Sequence, residues 1–180
     1  MSQSLSELVK NQNYQLGQLT PSIVLYEPSF EGWLSAVFYV YSNHLQDDTS
    51  LQLIAQDCYV PSLLAHAISV ETNANHAERV LTKLNQLLGR SGMRNLLWGF
   101  LSEKDNIGST LFQVVKYAIN YPSRHIMDDL GNLNILELVQ TVKSVGREKH
   151  RMEAFVRFEH TVEDIYFARV EPDFNVLPLI

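Results

Sequence analysis

Between residues 143 and 158 the chain reads KSVGREKHRMEAFVRF. The bases Lys143, Arg147, Lys149, Arg151 and Arg157 stand there against the acids Glu148 and Glu153, a local charge of +3 in a chain of 180 residues whose net charge is -6. Arginine presents a planar fork of donors that matches phosphate oxygens, so such a concentration of cations in an acidic protein is what a phosphate-contacting patch looks like. At about 100° per residue, Lys143, Arg147, His150 and Arg151 share one arc of a helix, and Leu138, Val139, Val142, Val145 and Met152 share the opposite arc. Glu148 and His150 stand among these cations and are the candidate proton-transfer groups, since a carboxylate or imidazole beside a held phosphate is placed for general acid-base work. Arg157 and Arg169 extend the basic arc, and Glu171, Asp173 and Asn175 form an oxygen-rich loop able to orient an arginine or a metal. Plainer readings stay open beside these: a solvated helix face in which Glu148 and Glu153 pair with neighbouring bases, and a turn built by Pro172 and Asp173.

Much other chemistry has no place to start. There is no glycine-rich dinucleotide or Walker sequence, no nucleophile elbow, no H-E-x-x-H and no C-x-x-C, so neither an organic cofactor nor a metal is expected. The six histidines, His44, His66, His76, His125, His150 and His160, never fall three or four apart, and surface or capping roles are expected of them. Cys58, the single cysteine, lies between Asp57 and Tyr59 with no adjacent cation to lower its pKa, and reads as a buried, inert thiol. The negative net charge opposes wholesale wrapping of nucleic acid and leaves room for a local basic patch. With 46% hydrophobic and 19% charged residues the chain is of ordinary globular composition. No apolar run reaches the roughly 18 residues a membrane span needs, and the start carries no signal-like pattern; no membrane association and a cytoplasmic location are expected.

The elements that hold these residues follow from periodicity. Residues 1–20 are polar and read as a loose N-terminal arm, and residues 21–180 as a single α+β domain. SIVLY at 22–26 predicts a strand. Ser29 then caps a helix whose buried face is Phe30, Trp33, Leu34, Val37, Phe38, Tyr41 and Leu45. Residues 51–59 read as extended, and 63–70 as either strand or helix. A helix capped by Thr72 closes at Gly89, a second begins at Ser91, and a third, capped by Asp105 or Asn106, runs to Ile119. The last helix is expected over 134–152, with Asn134 and Glu137 as a capping box. The period then changes to two, so 154–158 and 165–170 predict an antiparallel hairpin with Phe158 and Phe167 as core filler. The fold class expected is α+β: a mainly helical core with an N-terminal strand and a C-terminal hairpin packed on the helix end that carries Arg147 and Arg151. The tail EPDFNVLPLI ends on apolar residues with no polar cap, as though a C-terminal segment were lacking.

Several stretches together carry a family resemblance: YEPSFEGWLSAVFYVY at 26–41, YVPSLLAHAISVETNANHAERV at 59–80, FLSE at 100–103, VGREKHRMEAFVRF at 145–158 and ARVEPDFNVLPL at 168–179. In these the chain resembles an uncharacterised bacterial family grouped with DNA metabolism and DNA repair, whose members accompany a radical-SAM DNA repair protein or are fused to a uracil-DNA glycosylase-like domain. Members of that family usually continue past the position of Ile180. The resemblance implies a link to DNA maintenance and a radical-SAM repair protein as partner; it defines no catalytic residues. Arg147, Glu148, His150, Arg151, Arg157, Glu171, Asp173 and Asn175 stand at the family's recurring positions. The expected function is that of an accessory protein contacting DNA phosphates through Lys143, Arg147, Arg151, Arg157 and Arg169. The alternatives are an enzyme acting on nucleic-acid ends or bases, and an interaction module docking an acidic partner.

Overall fold

A computed structural model describes residues 22–63, 65–123, 125–161 and 163–180. The N-terminal arm expected over 1–20 lies outside them. The β-branched run at the start forms β1 (Ile23–Tyr26), with Val24 and Tyr26 turned into the core. It is the middle strand of a three-stranded parallel sheet, between β2 (Gln52–Ala55) and β3 (Ala67–Val70). Val24 pairs with Leu53 on one side and Ile68 on the other. The expected single N-terminal strand is therefore one third of a sheet, and the segment left between strand and helix at 63–70 contributes a strand. Four-residue apolar runs suit either state, and only pairing on the β1 edge decides.

Helix α1 (Phe30–Ser42) starts where predicted, with the Ser29 hydroxyl accepting the Gly32 N–H at 3.0 Å. Its buried surface is wider than the expected stripe: Trp33, Leu34, Ala36, Val37 and Val40 are buried, whereas Phe38 and Tyr41 are half-buried and Leu45 lies beyond the helix end. The cause is packing on two sides, against the sheet and against α2 (Ala74–Phe100). The two helices predicted on either side of Gly89 are the two segments of α2. They meet without a loop at Gly89, whose φ of 63° and ψ of -176° break the helical path. Its cap is Asn73, accepting the His76 N–H at 3.1 Å, rather than Thr72.

Helix α3 (Ile107–Asn120) begins after Asn106, whose side chain caps nothing. Helix α4 (Leu133–Phe155) is capped by Asn132, accepting from the Asn134 and Ile135 amides, so the Asn134–Glu137 capping box does not form. Helix α2 packs against all three other helices, and α3 closes over β2. The hairpin is smaller than expected. Ala154 and Phe155 belong to the end of α4, and only β4 (Glu159–His160) and β5 (Tyr166–Phe167) pair, Glu159 with Phe167 and His160 with Tyr166. Phe158 and Phe167, expected in the core, are 67% and 48% exposed. Two antiparallel pairs with nothing packed over them cannot bury an aromatic face.

Candidate functional site

On α4 the buried stripe runs through Ile135, Leu138, Thr141 and Val145 and continues one turn further to Glu148. Glu148 is 5% exposed, so it lies on the packed side of the helix and not on the basic arc. The Arg151 guanidinium pairs with it one turn on, and the Asp173 amide donates to its Oε1 at 3.2 Å. Arg151 also reaches the Asp173 carboxylate at 3.1 Å. The hydrogen bond to Glu148 first, then the one to Asp173, hold the Arg151 guanidinium above its ordinary pKa. This triad fastens the loop at 171–175 onto α4. The next residues fasten it to the connection that follows α2: the Asn175 backbone N–H donates to the Leu101 carbonyl at 3.0 Å, its side-chain amide donates to Glu103 at 2.7 Å, and Val176 is fully buried.

The predicted site residues thus divide. Glu148, Arg151, Asp173 and Asn175 are brought together as a clasp for the C-terminal segment. Arg169 is spent on Glu171, at 2.6 Å and on the surface. His150 is exposed, two positions from Glu148 and so about 200° round the helix, and the two cannot act on one substrate atom. Lys149 pairs with Glu153. Arg147 donates to the Ser144 hydroxyl at 3.1 Å. Lys143, Arg147 and Arg157 are exposed and form no ion pair among the described residues. Phe155 and Phe158, on either side of Arg157 in sequence, are 75% and 67% exposed.

A second place was not foreseen. Where β1 and β2 end, a cleft of about 400 Å³ opens between the sheet and the connection from α2 to α3. Tyr26 and Ala55 come from the strand ends, and Asp57 and Cys58 from the 3-10 turn that follows β2. Glu103 and Asp105 come from the helix connection, and Phe100 and Ile107 supply apolar wall. Cys58 is exposed here rather than buried. Its thiol is held above its ordinary pKa by desolvation first and then by Asp57, Asp105 and Glu103. Burial pushes the Tyr26 hydroxyl well above the usual phenol range, with Cys58 and Asp57 adding to the effect. Parallel strands would have pointed to this cleft, because ligands in open parallel sheets bind beyond the strands' carboxyl ends; the signal was there in the short runs SIVLY, QLIA and AISV, whose mutual direction the sequence does not carry. Among the described residues no group of three or more His, Cys, Asp or Glu is placed to hold a metal ion, and no helix is long and apolar enough to cross a membrane.

These features define an α+β protein with a short parallel sheet, a four-helix body and a clasped C-terminal tail. Residues 105–180, less than half of the chain, match the family described as a domain of unknown function (DUF4130). That description names no activity. No curated protein and no solved structure matches the chain significantly.

Proposed function

We propose that the protein is a DNA-contacting accessory factor, and that its contacts are made by Lys143, Arg147 and Arg157 with Phe155 and Phe158. The observation that supports this reading is a series of exposed cations without ion pairs among the described residues, and of exposed aromatic rings, from the middle of α4 to just past its C-terminal end. Cations take phosphates, and rings without partners stack on unpaired bases. Arg151 and Arg169 drop out of the patch proposed from sequence, because their guanidinium groups are committed to Glu148, Asp173 and Glu171. A radical-SAM repair protein remains the partner that the family resemblance suggests, and with three phosphate contacts the chain alone binds weakly. In the alternative, an enzyme with Glu148 or His150 as proton-transfer group, Glu148 is buried in an ion pair, which leaves the exposed His150 as the candidate.

Fluorescence anisotropy with a single-stranded oligonucleotide, repeated across salt concentrations, tests this. Three phosphate contacts give a log–log slope of about -2 for single strands. Arg147→Glu with Arg157→Glu is expected to weaken binding by about tenfold or more, and Arg169→Gln to leave it within about twofold. No DNA affinity at low salt, or equal binding by the double variant, would sink the reading and favour docking of an acidic protein partner.

A further inference from the structure

The cleft beyond β1 and β2 carries a charge and a geometry of its own. Asp57, Glu103 and Asp105 line it, and none of them forms an ion pair among the described residues. Among the described residues one cation stands on its wall, Lys104, which directs its amine to the Thr141 hydroxyl at 2.9 Å and is thereby anchored to α4. Three carboxylates against one ammonium leave the walls net negative, and a concave site with a net negative field concentrates cations.

The second observation is Tyr26. Its side chain is 2% exposed, its hydroxyl makes no hydrogen bond among the described residues, and it lines the cleft. The ring is buried while the hydroxyl oxygen is not closed off, so the cleft is the side from which it can be met, as donor or acceptor. The position is deliberate in the packing: a Cβ on Gly108, in the first turn of α3, would come within 2.5 Å of that hydroxyl oxygen, so only glycine lets it stand there. Glu103 is likewise held in place, in the left-handed region at φ 51° and fastened by the Asn175 amide. Phe100 and Ile107 complete an apolar wall, the composition typical of a small-molecule pocket.

We propose that this cleft binds a small organic cation, an amine or guanidinium carried on an apolar body, with Asp57, Glu103 and Asp105 neutralising the charge and Tyr26 accepting one N–H. Its location, at the carboxyl ends of parallel strands and beside the central strand, is where open sheets place ligands. Nothing in this assignment depends on the proposed DNA contacts, which involve residues between 143 and 158.

Isothermal titration of the whole chain at low ionic strength, with tryptamine and agmatine as probes and indole-3-propionate as an anionic counterpart, tests it. Saturable one-site binding of at least one cation, and none of the anion, is expected. Asp57→Asn with Asp105→Asn, both exposed positions, should lower the affinity by about tenfold or more. Tyr26→Phe, which removes only an unpartnered hydroxyl, should lower it by about threefold or more with an unchanged melting temperature. Failure of both cations to bind at millimolar concentration, equal binding of the anion, or full affinity in the aspartate double variant would each overturn the proposal. None of those results bears on DNA binding, and loss of DNA binding by the Arg147 and Arg157 variant leaves this cleft untouched.

Discussion

Glu148 shows how a side chain that reads as one of a surface cluster in sequence can be buried and paired in space. In the string REKHR it stands amid cations, where a carboxylate invites a proton-transfer role. Helical phase places it on the same side as Leu138 and Val145, and there it accepts from Arg151 and from the Asp173 amide. Burying a carboxylate is tolerable only when it is paired and hydrogen-bonded, and those two donors meet that need. Glu148→Ala removes the acceptor and leaves the Asp173 N–H without it, at a cost of about 1–3 kcal/mol; Arg151 is half exposed and recovers solvation, which keeps the loss below that of a fully buried pair. Urea unfolding is expected to show that loss, and limited proteolysis earlier cutting after residue 156. An unchanged midpoint with an unchanged cutting pattern would mean that the clasp does not hold the tail. The residue types at this place were legible in sequence, as was the pairing of Glu148 with a neighbouring base. The long-range partner Asp173, 25 positions away from Glu148, was not, because nothing local encodes which turn of α4 the loop meets.

At the scale of elements, what could be read was what repeats. The helices announce themselves by apolar spacing, and all four lie close to where the period puts them. The apolar side expected of α4 does face the core, but not to equal depth: Val145 is fully buried, whereas Val142 is half-buried on the margin of the stripe. Val145→Asp is therefore expected to cost about 3–4 kcal/mol by burying an unpaired carboxylate. Val142→Asp should cost less than half of that, since its carboxylate can turn to water. Thermal melts separate them, at about 2–4 °C per kcal/mol for a chain of this size; equal shifts would contradict the phase. The strands were harder to read for a physical reason. A parallel partner is fixed by tertiary packing rather than by a turn, so β1 finds β2 and β3 at separations that no local pattern marks. The hairpin was overread because the alternation of AFVRF continues a helix whose last turn carries Phe155 into solvent.

For the molecule as a whole, the match to a domain of unknown function begins at residue 105, yet the core does not divide there. Trp33 on α1 donates its indole N–H to the Gly108 carbonyl at 3.0 Å. The Ser109 hydroxyl accepts the Leu53 amide at 3.0 Å and lies 3.1 Å from the Leu53 carbonyl, so the first turn of α3 is bonded to β2. Leu96 of α2 and Leu111, Val115 and Leu138 of the later helices are buried in one cluster with Val24, Trp33 and Leu53. A fragment of residues 105–180 would keep α3 and α4 and lose the surfaces that cover Leu111, Phe112, Val114 and Val115, all fully buried in the whole chain. Two amphipathic helices without α2 and the sheet have no closed core to stabilise them. The fragment is expected to show little fixed tertiary structure by near-ultraviolet circular dichroism and no cooperative melt, whereas the whole chain should unfold in one transition by both far- and near-ultraviolet signals. A cooperative melt of the fragment near the whole-chain temperature would show instead that residues 105–180 fold as a unit of their own, with the parallel sheet and α1 as an attached layer.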